Sequence, residues 1–92
     1  MAALAEELDL LADATDAAAR MLRVDPGRED AHRILMRCHA RQHRLAEVLR
    51  QFERCRKCLA DTLGVTPQPE TVALYRTLRA DLTIGCDLAA AP

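Results

Sequence analysis

The segment GVTPQPETVALY, residues 64–75, ends one helix and begins another. Gly64 can adopt the positive φ that closes many helix C-termini, and the residue after it can fold back on the last turn in a Schellman-type end. Pro67 prevents the helix from continuing. Pro69 suits the first turn of a new helix, and Glu70 places negative charge at its positive end. The segment therefore predicts a sharp break between two helices.

Apolar residues recur at intervals of three and four on both sides of this break, which is the period of one helix face. The pattern predicts an all-α chain with one long helix or two short ones over residues 4–22, then a helix from about Arg28, another from about Arg44 and a last one after the break. The helices from Arg28, from Arg44 and after the break are called the second, third and fourth. The third is expected to be the longest. Its predicted apolar stripe comprises Leu45, Val48, Leu49, Phe52, Cys55, Leu59 and Leu63, and that of the second helix Ala31, Ile34, Leu35 and Cys38.

The composition indicates one small domain. The chain has 92 residues, half of them hydrophobic but only two aromatic, and this length allows one modest core. We expect the domain to span residues 1–84, with a flexible tail over 85–92. Neither a run of about eighteen apolar residues nor a signal-peptide pattern is present, so a soluble, cytoplasmic protein is expected.

The charge is distributed unevenly along the chain. The net charge is −1, but between Arg28 and Lys57 there are nine Lys or Arg against four Asp or Glu. One end or one face of the domain is therefore expected to be basic.

The cysteines and histidines offer a weak metal pattern. His39 and His43 precede Cys55 and Cys58, but twelve helical residues separate His43 from Cys55, or roughly 18 Å along the helix, too far for ligands of one ion. The cysteines are better interpreted as reduced, half-buried thiols inside helices. No pattern of catalytic residues is present. We expect no catalytic site, no metal and no cofactor, and a redox or metal sensor is the least favoured function.

One long stretch carries a family resemblance. The run DPGREDAHRILMRCHARQHRLAEVLRQFERCRKCLADTLGVTPQPETVALYRTL, residues 25–78, resembles the bacterial transcriptional activator domain, a helical module beside the DNA-binding domain of antibiotic-regulatory proteins of actinomycetes. The resemblance covers about residues 11–82 and implies a tetratricopeptide-like, antiparallel stack of about four helices. The matching pieces are Asp25-Pro26, Arg28-Glu29, Ala31-His32-Arg33, Leu35-Met36-Arg37, Cys55-Arg56, LGVTPQPET and Leu74-Tyr75.

The chain departs from the family pattern at two positions and in its N-terminal part. Relatives usually have glycine where His43 stands and tyrosine where Phe52 stands. Family members carry a winged-helix domain that reads DNA, whereas only about two dozen residues precede Asp25 here. The expectation is a fragment or stand-alone module without its own DNA-reading domain, whose first helix exposes some apolar surface to a partner.

The candidate partner-binding residues lie on the second helix. Arg33, Arg37 and Arg41 recur every fourth residue and form one row that begins at Asp30. On the tetratricopeptide pattern this row falls on the concave face, where such repeats hold extended peptides. It is either a solvated charged face or a basic groove for an acidic segment. His32 is expected to be a hydrogen-bonded structural residue.

The sequence thus predicts a protein–protein interaction or oligomerisation module of a bacterial transcriptional regulator. Its partner would be a second copy, giving a homodimer, or an acidic segment of the transcription machinery. The alternative is weak nucleic-acid binding through the basic hairpin of the second and third helices, since phosphate contacts need only Lys and Arg.

Overall fold

The computed structural model describes the backbone of residues 2–90 and the side chains of residues 10–82. Within this range the chain forms four helices and no strand: α1 (Ala2–Val24), α2 (Glu29–Arg41), α3 (Leu45–Leu63) and α4 (Pro69–Ala90). The all-α prediction is confirmed, including the break before Pro69.

Two predictions about helix length differ from the structure. Helix α3 has 19 residues and is shorter than α1, with 23, and α4, with 22. Helix α1 begins earlier than predicted because its first residues are good helix formers. The backbone of α4 continues beyond residue 84, since a glycine inside a helix costs only about 1 kcal/mol. The side chains of the predicted tail lie outside the described residues, and its flexibility stays a prediction.

The turn between α2 and α3 has the hydrogen bonds of a Schellman motif. The amide of His43 donates to the Ala40 carbonyl at 3.0 Å, and the amide of Arg44 donates to the His39 carbonyl at 3.0 Å. His43 itself has φ 57°, in the left-handed region. Glycine adopts this conformation without strain, which gives a physical reason for glycine at this position in relatives.

The end of α3 has a different set of bonds from the Schellman type predicted there. Gly64 has φ 65° as expected, but its amide donates to the Ala60 carbonyl at 3.2 Å, which is the simpler αL type of ending. The amide of Val65 folds back to the Leu59 carbonyl at 3.3 Å. The chain thus leaves α3 sharply and reaches Pro69 after a short link.

Helix α2 packs against all three other helices. The buried apolar side chains come mainly from α2 and α3: Ala18, Ala31, Leu35, Met36, Cys38, Val48, Cys55 and Leu59. Phe52 of α3 stacks on Tyr75 of α4, with ring centroids 3.9 Å apart and planes 7° from parallel. The core is small, and its helices meet around α2.

Two residues of the predicted α3 stripe are exposed. Leu63 is 65% exposed and Leu49 is 36% exposed. Leu63 is the last residue of α3, where the packing partners end and a surface cleft begins. Over the described residues, no helix is both long and apolar enough to cross a membrane.

The two left-handed residues give a matched stability test. His43→Gly should raise the unfolding free energy by roughly 0.5–1 kcal/mol, because it relieves a left-handed backbone that side chains disfavour. The melting temperature should then rise by about 2–8 °C. Gly64→Ala should lower stability by about 1 kcal/mol, although no atom lies within 4 Å of the added Cβ. Thermal unfolding followed by circular dichroism checks both, and a destabilised His43→Gly variant would contradict the interpretation of this turn.

Candidate functional site

A buried polar junction joins the N-termini of α2 and α4. Arg33 Nη1 donates to Thr71 Oγ1 at 2.9 Å, and the Thr71 hydroxyl donates to Glu29 Oε1 at 2.8 Å. The amide of Gln68 donates to the same Glu29 oxygen at 2.8 Å. Thr71 is fully buried, and buried polar groups are stable only when they are hydrogen-bonded in this way. We call these four residues the α2–α4 junction.

Arg33 therefore has an intramolecular role. Besides Thr71, its guanidinium reaches the carboxylate of Glu70, with Nη2 and Oε2 3.5 Å apart. The Arg33 side chain is only 15% exposed, whereas that of Glu70 is 75% exposed. Arg33 was predicted as one of a row of partner-binding arginines, but its geometry is that of a residue that holds α4 against α2.

Asp30 also makes local contacts. Its carboxylate accepts hydrogen bonds from Arg28 Nε, at 3.0 and 3.2 Å, and from the amide of Ala31 at 2.9 Å. Desolvation on its own would raise the pKa of Asp30, but these hydrogen bonds and the charges of Arg28 and Arg33 outweigh it and lower the pKa. The side chain is 46% exposed, so it faces both its neighbours and solvent.

The two remaining residues of the predicted row, Arg37 and Arg41, have exposed side chains further along α2. Arg44, at the start of α3, is exposed as well. The row of four is thus divided: Asp30 and Arg33 belong to the N-terminal end of α2, and Arg37 and Arg41 to its C-terminal part. We call Arg37, Arg41 and Arg44 the basic end. A role of these residues in partner binding stays a prediction.

His32 forms a second polar link, between α2 and α3. Its Nε2 lies 2.8 Å from the carbonyl of Pro26, and its Nδ1 lies 2.7 Å from Nε2 of Gln51. The carbonyl can only accept and the amide NH₂ can only donate, so this geometry requires a proton on Nε2 and a bare Nδ1. Both side chains are 4% exposed. The prediction of a structural, hydrogen-bonded histidine is confirmed.

Sequence reasoning missed Gln51, Thr71 and the double role of Glu29. A signal for Gln51 exists, because it is a polar residue three positions after Val48 and four before Cys55 on the apolar face of α3. Thr71 carried no comparable signal, since threonine in the first turn of a helix is commonly exposed.

Two surface clefts border these polar links. The larger one, of about 590 Å³, lies between the N-terminus of α2, the C-terminus of α3 and the link to α4. The smaller one, of about 320 Å³, is lined by residues of α1, α2 and α3, including His32, Gln51, Arg54 and Cys58. The larger cleft is lined by Gly27, Glu29, Asp30, Arg33, Leu59, Leu63, Val65, Thr66 and Gln68.

The cysteines that the structure describes are free thiols. Cys38 and Cys55 are fully buried, more than the half-buried state expected, and Cys58 is half-buried. Desolvation raises the pKa of the Cys55 thiol to about 11, and the nearby Glu29 carboxylate adds to the effect. Such a thiol is protonated at neutral pH and is a poor nucleophile and a poor metal ligand.

The weak metal pattern is not assembled by the fold. His39 has a buried Nδ1 without a hydrogen-bond partner in the described part of the chain, and desolvation lowers its pKa, whereas His43 is exposed at the turn. Among the described side chains, no three His, Cys, Asp or Glu groups are placed to hold one ion.

The junction makes a prediction for stability. Thr71→Val removes the hydroxyl that accepts from Arg33 and donates to Glu29, at nearly constant volume. We expect a loss of about 1–3 kcal/mol of unfolding free energy, since Arg33 Nη1 then loses its acceptor and Glu29 loses the hydroxyl that donates to it. Thr77→Val, the same change at an exposed position of α4, is the control and should change little. Urea unfolding measures both, and equal midpoints would show that the hydroxyl does not hold the junction.

The raised pKa of Cys55 makes a prediction for reactivity. At pH 8 the native Cys55 should react with a thiol reagent on the order of a hundredfold more slowly than an unstructured cysteine peptide, because its thiolate population is that much smaller. Cys58, which is half-buried, should be labelled first among the cysteines described. Mass spectrometry of timed digests identifies the labelled sites, with urea-unfolded protein as the control. Labelling of native Cys55 as fast as Cys58 would contradict the burial argument.

The sequence was compared with models of known protein families, and one model matches. The family model described as the bacterial transcriptional activator domain matches residues 1–79, which begins ten residues before the resemblance noted from the motifs and ends three residues earlier. Comparison with curated proteins and with solved structures found no match for the chain. Since the family model covers most of the chain, this protein belongs to the bacterial transcriptional activator domain family.

Proposed function

We propose that this domain binds another protein as part of a bacterial transcription regulator, and that the basic end is its contact surface. The observation that carries the proposal is the division of the arginines on α2. Arg33 is held in the α2–α4 junction, whereas Arg37 extends its side chain into solvent. An exposed charge such as that of Arg37 is available for recognition.

The charge of the basic end favours an acidic partner. The segment 37–46 contains three arginines and no Asp or Glu. Complementary charge across an interface speeds association and selects partners more than it adds affinity. An acidic, partly apolar segment of another protein chain is therefore the class of ligand that suits this surface.

Membership of a regulatory family supports this function over catalysis. The polar groups with the most burial, in His32, Gln51 and Thr71, are already engaged in hydrogen bonds between helices. Their chemistry is thus used for structure, which favours the exposed side chain of Arg37 as a group for binding.

The test uses a fluorescent peptide rich in glutamate, aspartate and leucine. At physiological ionic strength, Arg37→Glu with Arg41→Glu should weaken binding of this peptide by about tenfold or more, as loss of central interface charges does. The control is Arg76→Glu with Arg79→Glu, an equal charge change at two exposed positions of α4. It should have little effect, because Arg76 and Arg79 are not part of the basic end. Fluorescence anisotropy gives the affinities.

Arg37→Glu alone is a second variant, and thermal melts check that every variant is folded. Equal losses in the two double variants would mean general electrostatic attraction and would contradict a defined surface. Tighter binding of duplex DNA than of the peptide, with a steep loss in salt, would favour the nucleic-acid alternative instead.

A further inference from the structure

We propose that the acidic partner of the basic end is a second copy of this chain, which receives it in the larger cleft. This inference rests on the proposed function, because it names the partner of the same surface. The two surfaces carry opposite charge and lie on one polypeptide, so each copy offers both halves of the contact.

The cleft and the basic end lie at opposite ends of the α2–α3 hairpin. Helix α2 begins beside the cleft at Glu29 and ends at Arg41. Helix α3 starts after Arg44 and returns to the cleft at Leu63. Thirteen helical residues span roughly 20 Å. Arg41 and Arg44 therefore cannot reach the cleft of their own copy, and a contact between them and the cleft must form between copies.

The rim of the cleft is acidic. Asp30 and Glu29 line it, Asp25 hydrogen-bonds the amide of the lining residue Gly27, and Glu70 contacts the lining residue Arg33. Against these four carboxylates stand the guanidiniums of Arg28 and Arg33, which lie in ion pairs. The net charge of this group is negative, and the exposed Glu70 carboxylate is its most accessible member.

Apolar side chains at the mouth of the cleft add contact area. Leu63 is 65% exposed and Val65 is 48% exposed, although both are large hydrophobic residues. The basic end offers a similar combination, because exposed Arg44 is followed by half-buried Leu45 and by Leu49, which is 36% exposed. Each surface thus combines apolar residues with charged ones, and the charges are acidic at the cleft and basic at the basic end. This combination is typical of specific interfaces.

Such a contact joins different surfaces of two identical copies. It is therefore head to tail, and each dimer keeps one unoccupied basic end and one unoccupied cleft. Further copies can add, so association should grow with concentration and weaken with added salt.

Sedimentation velocity over a dilution series, at low and at high ionic strength, measures this association. Leu63→Arg and Arg44→Glu should each raise the dissociation constant by about tenfold or more, because the first places a cation against the basic end and the second places a carboxylate against the acidic cleft. Leu10→Arg is the control, since Leu10 of α1 is 69% exposed and lies outside both surfaces. Leu63 and Leu10 are both mostly exposed, and thermal melts confirm that the variants fold.

A charge exchange provides the second test. Glu70→Arg should weaken self-association as Arg44→Glu does. Mixing the two variants should restore pairwise association at low salt, because the unaltered basic end of the Glu70→Arg variant then meets the unaltered cleft of the Arg44→Glu variant.

Monomers at every concentration, or association lost in Leu10→Arg and kept in Leu63→Arg, would overturn the second-copy inference. So would failure of the mixed variants to assemble. The proposed function is tested separately. If the domain is monomeric but binds the acidic peptide through Arg37, the proposed function stands and the second-copy inference fails. If the domain binds neither the peptide nor a second copy, both fail.

Discussion

The fully buried hydroxyl of Thr71 accepts from Arg33 and donates to Glu29, and the arrangement of the domain depends on this contact. Helix α4 returns to the hairpin after a short link, and the described apolar residues of its face, such as Val72 and Tyr75, are only half-buried. Apolar packing alone would leave the angle of α4 weakly defined. Directional hydrogen bonds at the first turn of α4 fix its orientation, which a small apolar core does not fix by itself.

The same contact separates structural charge from surface charge. Arg33 and Glu29, which lie in a segment rich in ionisable residues, are both hydrogen-bonded to Thr71. Arg37, one turn further along α2, is exposed. The domain then has an acidic cleft near the junction and a basic turn at the other end of the hairpin. A helix of thirteen residues is sufficient to keep the two apart. The proposals for partner binding follow from this separation.

Much of the architecture was predictable because its signals are local. Proline and glycine marked the helix breaks, and the apolar period marked the helix faces. The length of α3 and the burial of Leu63 were predicted wrongly, because helix ends depend on what packs against them. The spacing of the arginines was read correctly from the sequence. Which of them is held inside the domain was not, because Arg33 bonds to Thr71, thirty-eight residues away in the chain. No local pattern reports such a contact.

A double-mutant cycle between Arg33 and Thr71 is the most direct test of this account. Unfolding free energies of Arg33→Met, Thr71→Val and the combined variant give the coupling between the two side chains. The account predicts a coupling of at least about 1 kcal/mol, as expected for residues in one hydrogen-bonded network. Additive effects of the two substitutions would mean that the hydrogen bond between Arg33 and Thr71 does not hold α4 in place, and they would contradict the central role of this contact.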